Sequence, residues 1–138
     1  MKNILFVEYD RDIRDYLSQF IANQPDPGLS VRMLPNLNEA ETLLRREVLD
    51  AVIIDAVSPN SRDLFDFIRQ IRHRDYKLPV LTLLAYSDMI LNRGLKEDLL
   101  REKVSITNKI ESLKNERISR LFRAAYEHGY GETVEFAD

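Results

Sequence analysis

Five short apolar runs alternate with amphipathic segments along the chain, and this alternation constrains the fold more than any other feature. The pattern is typical of β-α-β units, in which parallel strands form one sheet that is covered by helices. The runs at 3–8, 50–55 and 80–84 are nearly continuous in apolar residues, as expected for central strands buried on both faces. The runs at 30–34 and 104–107 are shorter and more polar, which favours edge positions.

Five amphipathic helices are predicted to connect and follow these strands. Apolar residues recur at helical spacing in the first, second, third and last of them, and the fourth is placed only within 89–101. Gly94 interrupts the fourth helix, at a cost of roughly 1 kcal/mol relative to alanine. The predicted segments are 10–23, the stretch after the turn at 35–38 that carries Ala40, Leu43 and Leu44, 64–73, 89–101 and 111–128.

The bulk composition fits one compact domain, because 138 residues with 44% hydrophobic and 31% charged side chains are ordinary for a globular chain. No apolar run approaches the ~20 residues of a membrane span, and the N-terminus lacks a signal-peptide layout. A cytoplasmic protein without a membrane partner is therefore expected. The absence of cysteine excludes disulfides and zinc–thiolate sites. A net charge of −3 argues against a nucleic-acid surface.

Ionisable residues stand at the carboxyl ends of three predicted strands. Asp55 ends the third apolar run and is followed four residues later by Pro59. Glu8 and Asp10 follow the first run, and Lys109 follows the fifth. In an open parallel sheet these ends meet at the crevice where ligands bind. We therefore expect the acids and the lysine to form one site.

Each of these residues also has an ordinary structural role open to it. Asp55 could cap a strand-to-loop junction, and Glu8 and Asp10 could favour the N-terminus of the first helix. Lys109 could be a solvated surface lysine. Tyr9, which stands between the two acids, could bury its ring and bond its hydroxyl to Asp55 or Lys109.

The order of elements and the strand-end residues resemble the response-regulator receiver domain (CheY-like), the phosphoacceptor part of bacterial two-component signalling. The resemblance covers about residues 2–128 and rests on Glu8-Tyr9-Asp10 after an apolar strand, on the segment from Asp50 to Pro59, and on Lys109. It implies an α/β fold, namely a flavodoxin-like doubly wound five-stranded parallel sheet of order 2-1-3-4-5. Residues 129–138 are expected to be a C-terminal tail or the stub of a linker.

The resemblance also assigns roles to the strand-end residues. Asp55 corresponds to the phosphoacceptor, whose carboxylate attacks a phosphoryl donor. Lys109 corresponds to the positive group that contacts the phosphoryl oxygens. Glu8, Asp10 and Asp55 are the carboxylates available for the Mg²⁺ ion that such domains bind.

The chain departs from the family pattern at four positions. Tyr9 stands where the family has the acid that contacts the metal directly, and a neutral phenol is a poor Mg²⁺ ligand. Leu84 replaces the hydroxyl residue that bonds the phosphoryl group, while Thr82 lies on the same face but deeper in the strand. The switch aromatic of the fifth strand corresponds to Ile106, and the proline after the lysine corresponds to Ile110.

Two functional hypotheses follow from these departures. The first is an atypical (pseudo-)receiver that acts by protein–protein contact through the fourth and fifth strands and helices, largely independently of phosphorylation. The alternative is a conventional receiver that a histidine kinase phosphorylates on Asp55, with a weakened Mg²⁺ site. A histidine kinase or a downstream signalling protein is the expected partner, and the resemblance leaves a homodimer open. The chain is not expected to be an enzyme, because it shows no glycine-rich phosphate loop and no catalytic motif for an outside substrate.

Overall fold

The computed structural model describes residues 1–57 and 60–136, so that Pro59 lies outside the described residues. Five parallel strands form one sheet. They are β1 (Lys2–Val7), β2 (Leu29–Leu34), β3 (Ala51–Asp55), β4 (Val80–Leu84) and β5 (Ser105–Asn108). Their order in the sheet is β2-β1-β3-β4-β5, which confirms the expected flavodoxin-like order.

The sequence predicts five helices, whereas the described residues form seven α-helices and one short 3₁₀ turn at Asn115–Arg117. The α-helices are α1 (Arg11–Asn23), α2 (Leu37–Arg46), α3 (Ser61–Arg74), α4 (Tyr86–Leu91), α5 (Arg93–Arg101), α6 (Lys109–Ser112) and α7 (Ile118–His128).

Two local breaks explain the additional helices. Asn92 ends α4 through its backbone N–H, and its side chain accepts a hydrogen bond from the Leu95 N–H, so that it also starts α5. The last predicted helix is broken at Lys114, whose backbone is extended at φ −62° and ψ 138°.

The side chains of the central strands alternate between two cores, one on each face of the sheet. Leu5 and Val7 lie in the core formed with α2, α3 and α5, whereas Ile4 and Phe6 lie in the core formed with α1 and α7. All residues of β3 and β4 are buried. Burial of each large aliphatic side chain stabilises the fold by roughly 1.5–3 kcal/mol. No helix in the described parts of the chain combines the length and the apolar character needed to cross a membrane.

The residues that follow α7 lie against the free edge of β5. The Ile106 N–H donates to the Glu132 carbonyl at 2.9 Å, and the Val134 N–H donates to the Ile106 carbonyl at 2.8 Å. The predicted tail is thus hydrogen-bonded to the domain over its described part, because an edge strand has backbone groups that need partners. The domain boundary at residue 128 stays a prediction.

Arg72 of α3 holds the two loops that lead into β4 and β5. Its Nη1 donates to the Leu78 carbonyl at 2.6 Å, and its Nε donates to the Glu102 carbonyl at 2.7 Å. Its Nη2 donates to the carbonyl of Lys103, a residue with a left-handed backbone at φ 60°. One guanidinium therefore fixes the starting points of two strands.

Arg72→Met is expected to lower the free energy of unfolding by about 2 kcal/mol, because the carbonyl groups of Asp75, Leu78, Glu102 and Lys103 lose a charged donor. Chemical denaturation measures this change, and Arg74→Met, at an exposed position of the same helix, serves as the control. Equal stabilities of the two variants would contradict the role given to Arg72.

Candidate functional site

The structure brings Glu8, Asp55 and Lys109 together at the carboxyl edge of the sheet. Glu8 directly follows β1, Asp55 is the last residue of β3, and Lys109 directly follows β5. The Lys109 Nζ lies 2.5 Å from the Asp55 Oδ2 and 3.9 Å from the Glu8 Oε1. Since β1 and β3 are neighbours in the middle of the sheet, the lysine crosses over the end of β4 to reach both acids.

Asp55 is fully buried, and both of its carboxylate oxygens are hydrogen-bonded. Its Oδ1 accepts from the Val57 N–H at 2.9 Å, and its Oδ2 accepts from Lys109. A buried carboxylate without such partners would cost several kcal/mol. The Lys109 side chain is itself only 14% exposed, so the pair is largely removed from water.

The position of Lys109 depends on the short helix that it begins. The Asn108 Oδ1 accepts from the Glu111 N–H at 2.9 Å, and the Ser112 hydroxyl donates to the Lys109 carbonyl at 3.0 Å. The sequence Asn108-Lys-Ile-Glu111 is a capping signal that could have revealed this helix. Ile110, the position of the missing proline, is 71% exposed.

Glu8 is the second buried acid of the site. Its Oε2 accepts from the Asp10 N–H at 3.2 Å, while its Oε1 has no hydrogen-bond partner among the described residues. Burial, together with the hydrogen bond and the charge of Asp55, raises the pKa of Glu8 to about 8, although the Asp10 N–H and Lys109 oppose the shift. A proton on Glu8 lets its carboxyl group donate to the Asp55 carboxylate, and this interaction favours the neutral form of Glu8.

Asp10 serves to cap a helix. Its Oδ1 accepts from the N–H groups of Asp12 at 2.8 Å and Ile13 at 3.3 Å, at the start of α1. These bonds satisfy two of the free N–H groups of the first turn. The side chain is exposed and belongs to the helix end, which is the ordinary structural role that the sequence leaves open.

The Tyr9 side chain turns toward a groove between α2 and α3. Its ring packs against the core and lines this groove together with Leu37, Asp63 and Phe67. Burial and the nearby carboxylates of Asp55 and Asp63 raise the pKa of Tyr9 to about 12, so the phenol stays neutral. No hydrogen bond joins it to Asp55 or Lys109 within the described part of the chain.

The other departures from the family pattern lie in the core. Leu84 pairs with Asn108 and is fully buried among apolar side chains. The Thr82 hydroxyl donates to the Ser105 carbonyl at 2.9 Å inside the sheet. Ile106 is 1% exposed. None of these three side chains presents a hydroxyl to the Asp55 carboxylate.

The donor set does not fit an ordinary Mg²⁺ site. Residues 1–57 and 60–136 contain no cluster of three or more metal-ligating side chains. Glu8 and Asp55 are the acids at the site, and Lys109 already holds one oxygen of Asp55. Tyr9 offers a neutral phenol, whereas Mg²⁺ favours carboxylate oxygens and water.

Comparison with known proteins gives one curated relative. No protein-family model matches the chain. The "uncharacterized 14.6 kDa protein in sodA1 3'region" of Leptolyngbya boryana is 34% identical over 87 residues. The match covers 62% of this chain and 63% of the relative, so the chain spans less than two thirds of that protein.

Solved structures show the fold. A signal receiver domain of a histidine kinase from Clostridium thermocellum is 17% identical, with a TM-score of 0.66 over 91% of this chain and 98% of that one. The signal receiver domain of an HD domain-containing protein from Pseudomonas fluorescens Pf-5 is 19% identical, with a TM-score of 0.68 over 93% and 96%. The response regulator TrrA of Thermotoga maritima, solved with Mg²⁺ and BeF, is 23% identical, with a TM-score of 0.52 over 74% and 99%. The chain has the CheY-like receiver fold.

The stability of the wild-type domain is expected to fall between about pH 4.5 and pH 8, the ordinary and the folded pKa of Glu8. The folded state holds a proton on Glu8 that the unfolded state has already released, so rising pH favours unfolding. Glu8→Gln removes this contribution and flattens the dependence, which urea denaturation at several pH values measures. Glu97→Gln, at an exposed position, should keep the wild-type slope. If Glu8→Gln also keeps it, Glu8 does not hold the proton.

Proposed function

We propose that this domain is an atypical receiver that acts by protein contact and that accepts a phosphoryl group on Asp55 slowly or not at all. The observation that carries this proposal is that the described residues place no third metal-ligating side chain beside Asp55 and Glu8. The Asp55 oxygens are bound by Lys109 and by the Val57 N–H, and the second acid of the site, Glu8, tends to keep its proton.

The chemistry of phosphoryl transfer supports the same conclusion. The transferred group spreads negative charge over its equatorial oxygens and needs a metal ion as well as a fixed positive group. Lys109 supplies the positive group. With Tyr9 turned into the groove and Asp10 capping α1, Mg²⁺ would have few carboxylate oxygens to bind.

The α4 side of the domain is the proposed contact surface. None of the residues of α4 is buried, and three large apolar side chains on it, Tyr86, Ile90 and Leu91, are more than half exposed. Ile110 lies at the start of α6 and is also exposed. Exposed apolar side chains that lie close together are typical of protein interaction sites. A histidine kinase or a downstream signalling protein is the proposed partner.

The alternative is a conventional receiver with a weakened Mg²⁺ site. The juxtaposition of Asp55 and Lys109 favours it, because a nucleophilic carboxylate and its cation are in place. The two functions differ in one measurable property, the Mg²⁺-dependent formation of a phosphoryl adduct on Asp55.

Wild-type protein incubated with acetyl phosphate and Mg²⁺ is expected to gain little or no phosphoryl mass, as measured by intact mass spectrometry. Tyr9→Asp restores an acid at the position of direct metal contact and is expected to gain one phosphoryl group in a Mg²⁺-dependent reaction. Adding Asp55→Asn to Tyr9→Asp should abolish that gain.

Tyr76→Asp is the matched control, since it introduces the same charge at an exposed site away from the sheet edge. A stoichiometric, Mg²⁺-dependent adduct on the wild-type protein, absent from Asp55→Asn, would favour the conventional receiver over the atypical one.

Leu91→Glu is expected to reduce cross-linking of the domain to its protein partner in cells by several-fold, because a charge in the centre of an apolar contact is costly. Val48→Glu, at an equally exposed apolar position outside α4, should leave the cross-linking unchanged. Equal cross-linking by the two variants would exclude α4 as the contact surface.

A further inference from the structure

The helix α6, which begins with Lys109, is too short to hold its own position. It contains four residues, and the Leu113 N–H closes it by donating to the Lys109 carbonyl at 3.1 Å. Isolated helices shorter than about 12 residues are marginal in water, because nucleation of the first turn is unfavourable. The orientation of α6, and with it the path of the Lys109 side chain to Asp55, therefore depends on contacts with the rest of the fold.

Arg117 provides such a contact at the far end of α6. Its Nη1 donates to the Glu111 carbonyl at 3.3 Å and also to the Glu111 Oε2. Arg117 is only 3% exposed, whereas the Glu111 side chain is about half exposed. Hydrogen bonds from Arg117 and from Lys114 lower the pKa of Glu111, so its carboxylate stays charged. A buried guanidinium thus binds both the backbone and the side chain of one α6 residue.

Arg117 is itself fixed by the segment in which it lies. Its N–H donates to the Lys114 carbonyl at 2.8 Å within the 3₁₀ turn. The next residue, Ile118, begins α7 and is fully buried in the core that contains Ile53 of β3. Arg117 therefore connects α6 to the core on one face of β3, the strand that ends in Asp55.

We propose that Arg117 is a positioning residue of the Asp55 site, which holds α6 in the orientation from which Lys109 reaches Asp55. The contacts of Arg117 with Glu111 lie two residues beyond Lys109 in the same helical turn, so their loss changes the position of the whole turn. Without them, Lys109 would be paired with Asp55 for a smaller fraction of the time. This role goes beyond the proposed function, because it holds whether or not Asp55 accepts a phosphoryl group.

Exchange of the Lys109 ammonium protons with water, followed by heteronuclear NMR, measures how often the pair with Asp55 opens. Arg117→Met is expected to accelerate this exchange roughly tenfold, because loss of a charge-assisted hydrogen bond weakens local structure by about that factor. Arg117→Lys keeps a cation that can donate to both oxygens of Glu111, so its exchange should stay within about twofold of the wild type. A folded Arg117→Met protein with wild-type exchange would overturn the proposal.

Two further variants separate positioning from a general loss of stability. Arg123→Met removes an exposed arginine of α7 that lies 4.0 Å from Glu127, and it should leave the exchange unchanged. Arg72→Met destabilises the domain at the opposite edge of the sheet, so exchange by local opening at Lys109 should again be unchanged. If Arg72→Met accelerates the exchange as much as Arg117→Met does, the effect is one of stability and the proposal is wrong.

Glu111→Ala tests the same contact from its exposed side, and it decides the question if Arg117→Met does not fold. It removes the carboxylate but keeps the backbone N–H that Asn108 caps, and it should accelerate the exchange about as much as Arg117→Met. A folded Glu111→Ala protein with wild-type exchange would contradict the role of Arg117. Lys114→Met removes the other cation bound to Glu111 and should have a smaller effect. An equal effect would assign the positioning of α6 to Lys114 instead.

Discussion

The buried carboxylate of Asp55 is the constraint around which the rest of the site is arranged. It ends a strand that is covered on both faces, so water cannot solvate its charge. The fold compensates with the Lys109 ammonium group and the Val57 N–H. Lys109 is held in turn by the helix that Asn108 caps, and Glu8 adapts by keeping a proton. Charge balance therefore links the ends of β1, β3 and β5.

Residues of the chain alone, without a metal ion, compensate the charge of Asp55. In the receiver fold the sheet edge is suited to a metal ion, but here the side chains that could hold one are engaged elsewhere. Asp10 caps a helix, and Tyr9 fills the side of a groove between two helices. The proposed contact surface for other molecules is the exposed apolar side of α4. We therefore place the proposed activity of the domain at a contact surface and leave the Asp55 site as a stable part of the structure.

Features that depend only on which residues are present can be predicted from the sequence. Features that depend on the direction in which a side chain points cannot. Continuous apolar runs that are short and rich in β-branched residues indicate the central strands, since a strand covered on both faces buries consecutive side chains. The sequence cannot show that the Asp10 side chain turns back to α1, because successive side chains at a strand end point differently. Asn92 both ends and starts a helix, so the one helix predicted within 89–101 corresponds to two helices in the structure. The sequence contains one weak indication that residues 132–136 bind to β5, namely the alternation of Val134 and Phe136 with polar residues.

The most direct test of a site balanced without metal is a Mg²⁺ titration of the wild-type protein, followed by the amide resonance of Val57 and the side-chain carboxyl resonance of Glu8. The Val57 N–H donates to Asp55, and the pKa of Glu8 depends on the charge of Asp55. A metal ion bound to Asp55 would therefore shift both signals. If the site is balanced without metal, neither signal shows a saturable shift at millimolar Mg²⁺. If both signals shift to saturation with the same millimolar dissociation constant, the site binds Mg²⁺ and is not balanced without metal.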